Sequence, residues 1–142
     1  GKANCGKTSI GRGSRVILPE GTIRRLQPLF PTLNLRSIQV QVTEPMSIAV
    51  CRCCPHAYIK AGSSPRPGLI MISPTFWNPE SEEGHRLIAH EVYHQAQQTA
   101  TPYFDALYDA LAEEVERRGL PPWEHPMEVP AYNFEKGVSY GY

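Results

Sequence analysis

Two histidines and a glutamate near the middle of the chain, His90, Glu91 and His94, have the spacing H-E-x-x-H. On a helix, residues four apart lie on the same face, so both imidazoles can bind one metal ion. Zinc lowers the pKa of a bound water towards neutrality, and a nearby carboxylate can then accept the proton. The sequence therefore predicts a hydrolytic zinc site, with His90 and His94 as ligands and Glu91 as the general base.

The sequence around this motif favours a half-buried helix. In residues 87–98, apolar side chains lie before, between and after the two histidines. They continue along one face of the predicted helix. Upstream, small polar and acidic residues suit an N-cap and a first helical turn: Asn78, Ser81, Glu82 and Glu83. The alternative is a pair of surface histidines on a glutamine-rich helix, which the apolar flanks disfavour.

Two histidines hold zinc weakly, so a third protein ligand is expected. One class of zinc protease places a third histidine six residues after the motif, but Ala100 occupies that position here. The candidates further downstream are Glu124, His125, Glu128 and Glu135. Pro126 suits the first position of a last helix, which would place Glu128 in its first turn, although Pro130 would remove a hydrogen bond there. The alternative for Glu128 is a carboxylate favoured only by the helix dipole.

Short elements are predicted on both sides of the central helix. A helix is expected over residues 19–29, ended by Pro28, and strands at 38–43, 47–51, 57–60 and 68–73. A packing helix over 101–118 follows, in which Asp105 and Asp109 are spaced like ligands but are interpreted as solvated. We expect an α+β fold: a small, mostly antiparallel sheet, then three helices. Residues 1–15 are interpreted as a flexible leader and 16–142 as one domain.

The composition excludes some classes of partner. At 142 residues, the chain is long enough for one domain with its own core. It has 14 Lys+Arg and 14 Asp+Glu, and a net charge of zero argues against nucleic-acid or acidic-membrane partners held by bulk electrostatics. No stretch approaches the roughly 20 apolar residues of a membrane span. A start at Gly1 without a signal peptide indicates an excised domain or a processed product, so the compartment stays open.

Residues 1–8 match a second motif, G-x-x-x-x-G-K-T, the pattern of a phosphate-binding P-loop. Such a loop follows a buried strand and opens a helix, so that backbone amides face the phosphates. Here nothing precedes Gly1, and residues 9–14 contain two glycines and form a poor helix. We interpret the segment as a basic leader, with nucleotide binding as a minor alternative.

The four cysteines could form disulfides, bind a second metal ion or remain free thiols. They are Cys5, Cys51, Cys53 and Cys54, and His56 follows them closely. The spacing lacks the paired C-x-x-C of a zinc knuckle, which argues against a second metal cluster. An even number of cysteines in a loop-rich domain favours one or two disulfides, with free thiols as the alternative. A further hypothesis is that Cys5 caps the zinc as an inhibitory thiolate.

Residues 87–98 read Leu-Ile-Ala-His-Glu-Val-Tyr-His-Gln-Ala-Gln-Gln. They resemble a family of bacterial zincin-like metallopeptidase domains, which read roughly Leu-Leu-Ala-His-Glu-Leu-Thr-His-Val-Val-Gln-Gln. Residues 126–134 are similar to the Asn-Pro-x-Glu-x-x-Ala-Tyr stretch of related zincins, where the glutamate is the third ligand. The resemblance covers about residues 17–135. It departs at Tyr93, Gln95 and Pro130, and it does not include the leader or the cysteines.

The resemblance implies a zincin-like fold with a gluzincin-type Zn²⁺ site, in which His90, His94 and Glu128 are the ligands and Glu91 is the general base. Tyr132 would then orient a ligand or simply pack. A peptide or protein substrate is implied, and residues 69–73 are expected to form the sheet edge along which it lies. Family members often sit beside secreted or injected bacterial toxins. This implies an effector or effector-processing role, with a cognate inhibitor or a larger parent chain as a further partner. The alternative is a catalytically inactive, zinc-stabilised interaction or delivery module.

Overall fold

The computed structural model describes residues 15–42, 57–60, 69–72, 74 and 76–138. The P-loop match at 1–8, the four cysteines and the strand predicted at 47–51 lie outside these residues. Within them, the expected combination of a small sheet and helices is confirmed. Among the described helices, none is long and apolar enough to cross a membrane.

The sheet has four strands: β1 (Arg15–Ile17), β2 (Gln39–Val42), β3 (Ala57–Lys60) and β4 (Leu69–Ile72). Their order is β1-β2-β4-β3. The two outer pairs are antiparallel, and the central pair, β2 with β4, is parallel. The sheet is therefore mixed, with antiparallel pairs in the majority as predicted. The expectation that residues 69–73 form an edge is wrong, because β4 is hydrogen-bonded on both sides.

A short helix, α1 (Glu20–Leu26), connects β1 to β2. It is shorter than predicted because Pro28 lies in a 3-10 turn, Gln27–Leu29, that follows it directly. The Gln27 side chain donates to the carbonyl oxygens of Phe30 and Leu33, at 2.8 and 2.7 Å. These bonds fix the loop that turns the chain back towards β2.

The central helix is α2 (Glu82–Ala100). Ser81 is its N-cap, as predicted, and the Ser81 hydroxyl accepts a hydrogen bond of 2.9 Å from the backbone N–H of Gly84. A Cβ atom at Gly84 would lie 1.8 Å from the carbonyl oxygen of Asn78, so only glycine allows the preceding loop to pack this closely.

Two further helices pack against α2: α3 (Phe104–Arg117) and α4 (Glu128–Lys136). The last helix begins two residues later than predicted, so Pro126 precedes it and Glu128 is its first residue. Pro130 consequently lies in the first turn, where a backbone N–H has no partner within the helix. The expected loss of a hydrogen bond at Pro130 was therefore wrong.

The core lies between the sheet and α2. Val40, Ile70 and Ile72 are buried on the sheet, as their alternation with more exposed neighbours predicts. Ile88 and Val92 come from α2, and the remaining buried apolar residues line the same core: Leu18, Ile23, Leu26, Phe30, Leu33, Leu35, Ile38, Ala89 and Val138. This packing buries one face of α2 on the sheet and leaves another face towards α3 and α4.

Candidate metal centre

Three side-chain atoms converge where α2 meets the start of α4. Nε2 of His90 lies 3.1 Å from Nε2 of His94, and Oε1 of Glu128 lies 2.9 and 3.0 Å from these two nitrogens. All three residues are buried. Among the described residues, this is the group of histidine, cysteine and acidic side chains that could hold a metal ion.

The second ring nitrogen of His90 is held by the last helix. Nδ1 of His90 lies 2.7 Å from Oε1 of Glu135. Because a carboxylate accepts only, this nitrogen must carry the proton, and Nε2 then presents its lone pair to the cluster. The ring of Tyr132 lies against the His90 ring, with centroids 4.6 Å apart. Both α4 residues therefore restrict the orientation of the imidazole.

The second ring nitrogen of His94 is held by Gln97, one turn later on α2. Nδ1 of His94 lies 2.7 Å from Oε1 of Gln97, while Nε2 of Gln97 donates a 3.1 Å bond to the carbonyl oxygen of Met127. That carbonyl fixes the orientation of the Gln97 amide, so Nδ1 of His94 is the donor to Oε1. His94 thus also turns the lone pair of Nε2 towards the cluster.

Glu128 is held from α3. Its second carboxylate oxygen, Oε2, accepts a hydrogen bond from the hydroxyl of Tyr108. Tyr108 stacks on the ring of His125, with centroids 3.9 Å apart, and Nε2 of His125 donates a 2.9 Å bond to the Tyr108 carbonyl oxygen. The N–H of Met127 donates to Nδ1 of His125, at 3.0 Å. Both ring nitrogens of His125 are therefore hydrogen-bonded, and they join α3 to the start of α4.

Three hydrogen-bond acceptors whose lone pairs face one another require a cation between them. Burial lowers the pKa of His90, but hydrogen bonds to Glu128 and Glu135 outweigh it and raise the pKa to about 10. His94 is also shifted upwards: burial lowers its pKa, and contact with Glu128 raises it by more. For Glu128, burial raises the pKa, but hydrogen bonds from the two histidines bring it well below its ordinary value. The cluster therefore favours a carboxylate together with a bound proton or metal ion.

The size of the cluster suits a small metal ion. A tetrahedral ion with bonds of about 2.0–2.1 Å separates its ligand atoms by about 3.3 Å. The three distances in the cluster are 2.9, 3.0 and 3.1 Å, so the atoms need to move apart by only a few tenths of an ångström. The side chains holding His90, His94 and Glu128 stay on the outside of the cluster, where they do not block such an ion.

Glu91 lies next to the cluster but does not belong to it. Its side chain is buried, and its charge raises the pKa values of both His90 and His94. The carboxylate is therefore close enough to influence the two rings electrostatically. The assignment of Glu91 as the general base stays a prediction.

The four candidates for a third ligand have different positions. Glu128 joins the two histidines, whereas Glu135 contacts the far nitrogen of His90, and His125 contacts Tyr108 and Met127. Glu124 is exposed in a 3-10 turn. Asp105 and Asp109 are also exposed, as expected of solvated residues.

Sequence reasoning missed two contributors to this site. Tyr108 was assigned to a helix with only a packing role, yet its hydroxyl reaches Glu128. Gln97 was given no role in the sequence analysis, yet it contacts His94 and Met127 together. The position of Gln97, three residues after His94, was the available signal, because residues three apart on a helix are neighbours. Nothing in the sequence indicated Tyr108.

Comparison with known proteins gives a match to a family model. Residues 68–102 match the family model of the eCIS core domain. This segment contains β4 and α2, and so it includes His90, Glu91 and His94. It links the chain to components of extracellular contractile injection systems, which fits a bacterial toxin-associated, secreted or injected context. Neither a curated protein nor a solved structure matches the chain significantly.

Proposed function

We propose that this chain is a zinc-dependent peptidase, in which His90, His94 and Glu128 hold the ion and Glu91 is the general base. The observation that carries this proposal is the convergence of Nε2, Nε2 and Oε1 within about 3 Å of one another. Two histidines and one glutamate form a donor set typical of hydrolytic zinc sites, which keep a fourth position for water or substrate. Zinc in such a site would lower the pKa of a water molecule and polarise a carbonyl group.

The surrounding residues have defined roles in this proposal. Glu91 accepts a proton from the attacking water and delivers it to the leaving amine. Glu135 and Gln97 hold the protons on Nδ1 of His90 and His94, which keeps both Nε2 atoms available. Such outer contacts also make the imidazoles more electron-rich ligands. Burial of all three ligands excludes competing water from the ligand bonds.

The substrate would bind along β3 instead of β4. In the described part of the chain, β3 is hydrogen-bonded to β4 on one side and forms the end of the sheet on the other. It also packs next to α2, which carries the histidines. An extended peptide can add to such an edge through its backbone groups. This arrangement suits a peptide more than a small, compact substrate.

The match to the eCIS core domain supports a second candidate, a metal-stabilised delivery or interaction module without catalysis. The matched segment, which includes α2, is similar to a domain named for an injection system and not for an activity. An inactive module would keep His90, His94 and Glu128 for stability alone. A zincin-like peptidase that acts as an effector, or that processes one, would satisfy both the match and the site.

Metal content and cleavage distinguish these candidates. The chain is purified without added metal, analysed for zinc, and incubated with a peptide library from a digested proteome, with mass-spectrometric detection of new ends. We expect one zinc per chain and cleavage by the parent. Glu91→Gln should keep the zinc but lose at least about 100-fold in turnover. Glu83→Gln, at an exposed position in the first turn of the same helix, should behave like the parent.

Each failure has a different meaning. Cleavage that survives Glu91→Gln would remove the assigned base. Zinc binding without cleavage of any peptide would favour the delivery module. A chain that takes up no zinc, even after incubation with the ion, would refute the metal centre in both candidates.

A further inference from the structure

Glu128 presents its two carboxylate oxygens to different partners. Oε1 lies 2.9 and 3.0 Å from the Nε2 atoms of His90 and His94, whereas Oε2 accepts the hydroxyl of Tyr108. We propose that Tyr108 is a positioning residue that keeps Glu128 a one-oxygen ligand and thereby keeps the fourth position of the ion open. This inference rests on the proposed metal centre and assigns a role in it to α3.

The Tyr108 hydroxyl is itself held in place. The ring is half-buried and stacks almost parallel on His125, at an interplanar angle of 23°. His125 is 1% exposed, and its two ring nitrogens bond to the Tyr108 carbonyl oxygen and to the N–H of Met127. Met127 directly precedes Glu128, so the same histidine fixes both partners of the bond. The hydroxyl is consequently aimed at Oε2 by the packing of α3 against the start of α4.

The chemistry of carboxylates explains why this bond matters. A free carboxylate can bind a metal ion through one or both of its oxygens. In a catalytic zinc site, three protein ligands leave the fourth position for water or substrate, and a second glutamate oxygen would raise the coordination number to five and crowd that position. A hydrogen bond from a hydroxyl to a carboxylate is roughly twice as strong as one between neutral groups. Tyr108 therefore withholds Oε2 from the ion.

The coordination number can be read directly with Co²⁺ as the probe. Four-coordinate Co²⁺ absorbs visible light several-fold more strongly than five-coordinate Co²⁺, because its geometry differs. We expect the Co²⁺-loaded parent chain to give the strong four-coordinate spectrum. Tyr108→Phe should give the weaker five-coordinate spectrum. Tyr103→Phe is the matched control, since Tyr103 is 86% exposed just before α3, and it should give the parental spectrum.

Binding of thiocyanate, an anion that takes an open coordination position, provides a second readout. We expect the Kd of thiocyanate for the Co²⁺-loaded chain to rise about tenfold in Tyr108→Phe, which corresponds to about 1.4 kcal/mol. Tyr103→Phe should leave this Kd unchanged. A purely structural role of Tyr108 would lower the free energy of unfolding without changing either the spectrum or the thiocyanate affinity.

Several outcomes would overturn the inference. Identical spectra and thiocyanate affinities for the parent and Tyr108→Phe would show that the hydroxyl does not control Glu128. A five-coordinate spectrum of the parent chain would by itself refute the inference, without any variant. If Tyr108→Phe does not fold, Tyr108→Leu removes the same hydroxyl and is judged by the same measurements. A parent chain that binds neither Zn²⁺ nor Co²⁺ refutes the metal centre itself, and this inference with it.

Discussion

Zinc should bind more tightly as the pH rises, even well above pH 7, because the ion must displace a proton that the cluster holds tightly. Burial opposes protonation of His90, but Glu128 and Glu135 raise its pKa to about 10. At pH 7, about one metal-free molecule in 1,000 then has an unprotonated His90, so the proton weakens zinc binding roughly a thousandfold. For an ordinary histidine, with a pKa of about 6.5, the proton would weaken binding by less than about twofold at that pH.

The apparent affinity should therefore rise about tenfold for each pH unit between pH 7 and 9, or about 1.4 kcal/mol per unit. The assay is competition with a chromophoric chelator of known affinity at each pH. Calorimetry at pH 7.5, in buffers of different ionisation enthalpy, should show release of at least one proton for each zinc bound. An affinity that stays constant above pH 7, with no proton released, would refute the assignment of a tightly held proton to this cluster.

Three other predictions concern the surroundings of the site. Glu135→Gln should weaken zinc binding about 10–100-fold by chelator competition, because His90 loses its carboxylate partner, whereas Glu124→Gln at an exposed position should have no effect. Gly84→Ala should lower the free energy of unfolding in urea by about 1–3 kcal/mol, because its Cβ meets the Asn78 carbonyl at 1.8 Å. Gly137→Ala is the control, since its nearest contact is an ordinary 3.7 Å, and equal losses would contradict this explanation. The free energy of unfolding of the metal-free protein should fall by about 1 kcal/mol per pH unit from pH 7 to 9, because His90 binds its proton more tightly in the folded than in the unfolded state. A free energy of unfolding that rises over this range would contradict the sign of this effect.

Most of what the sequence predicted correctly concerns contacts within one element. The positions of His90 and His94 follow from their spacing of four on a helix, and the start of that helix follows from the Ser81 cap. The strand over 39–42 follows from the alternation of apolar and polar residues, and the strand over 69–72 follows from a run of apolar residues. In each case the relevant neighbours are separated by a few residues, so helix or strand geometry alone determines that they meet.

The order of the strands could not be obtained in this way. β4 lies between β2 and β3, so these two strands are consecutive in the chain but are not neighbours in the sheet. The apolar residues of β4 fit an edge or an interior position equally well. For this reason the sequence indicated β4 as the edge that binds substrate, whereas the edge proposed from the sheet order is β3. A pairing between strands depends on the path of the connecting chain, which residue spacing does not specify.

The sequence by itself determined the chemistry that the site could contain: two imidazoles on one helical face, a carboxylate beside them, and a set of downstream acids. Only the tertiary structure divided those acids between roles, with Glu128 in the cluster, Glu135 behind His90 and Glu124 in solvent. It alone brought Tyr108 to the second oxygen of Glu128. The physical reason is that each of these contacts joins different helices. Their distances depend on how α3 and α4 pack against α2, whereas residue spacing fixes distances only within a single helix.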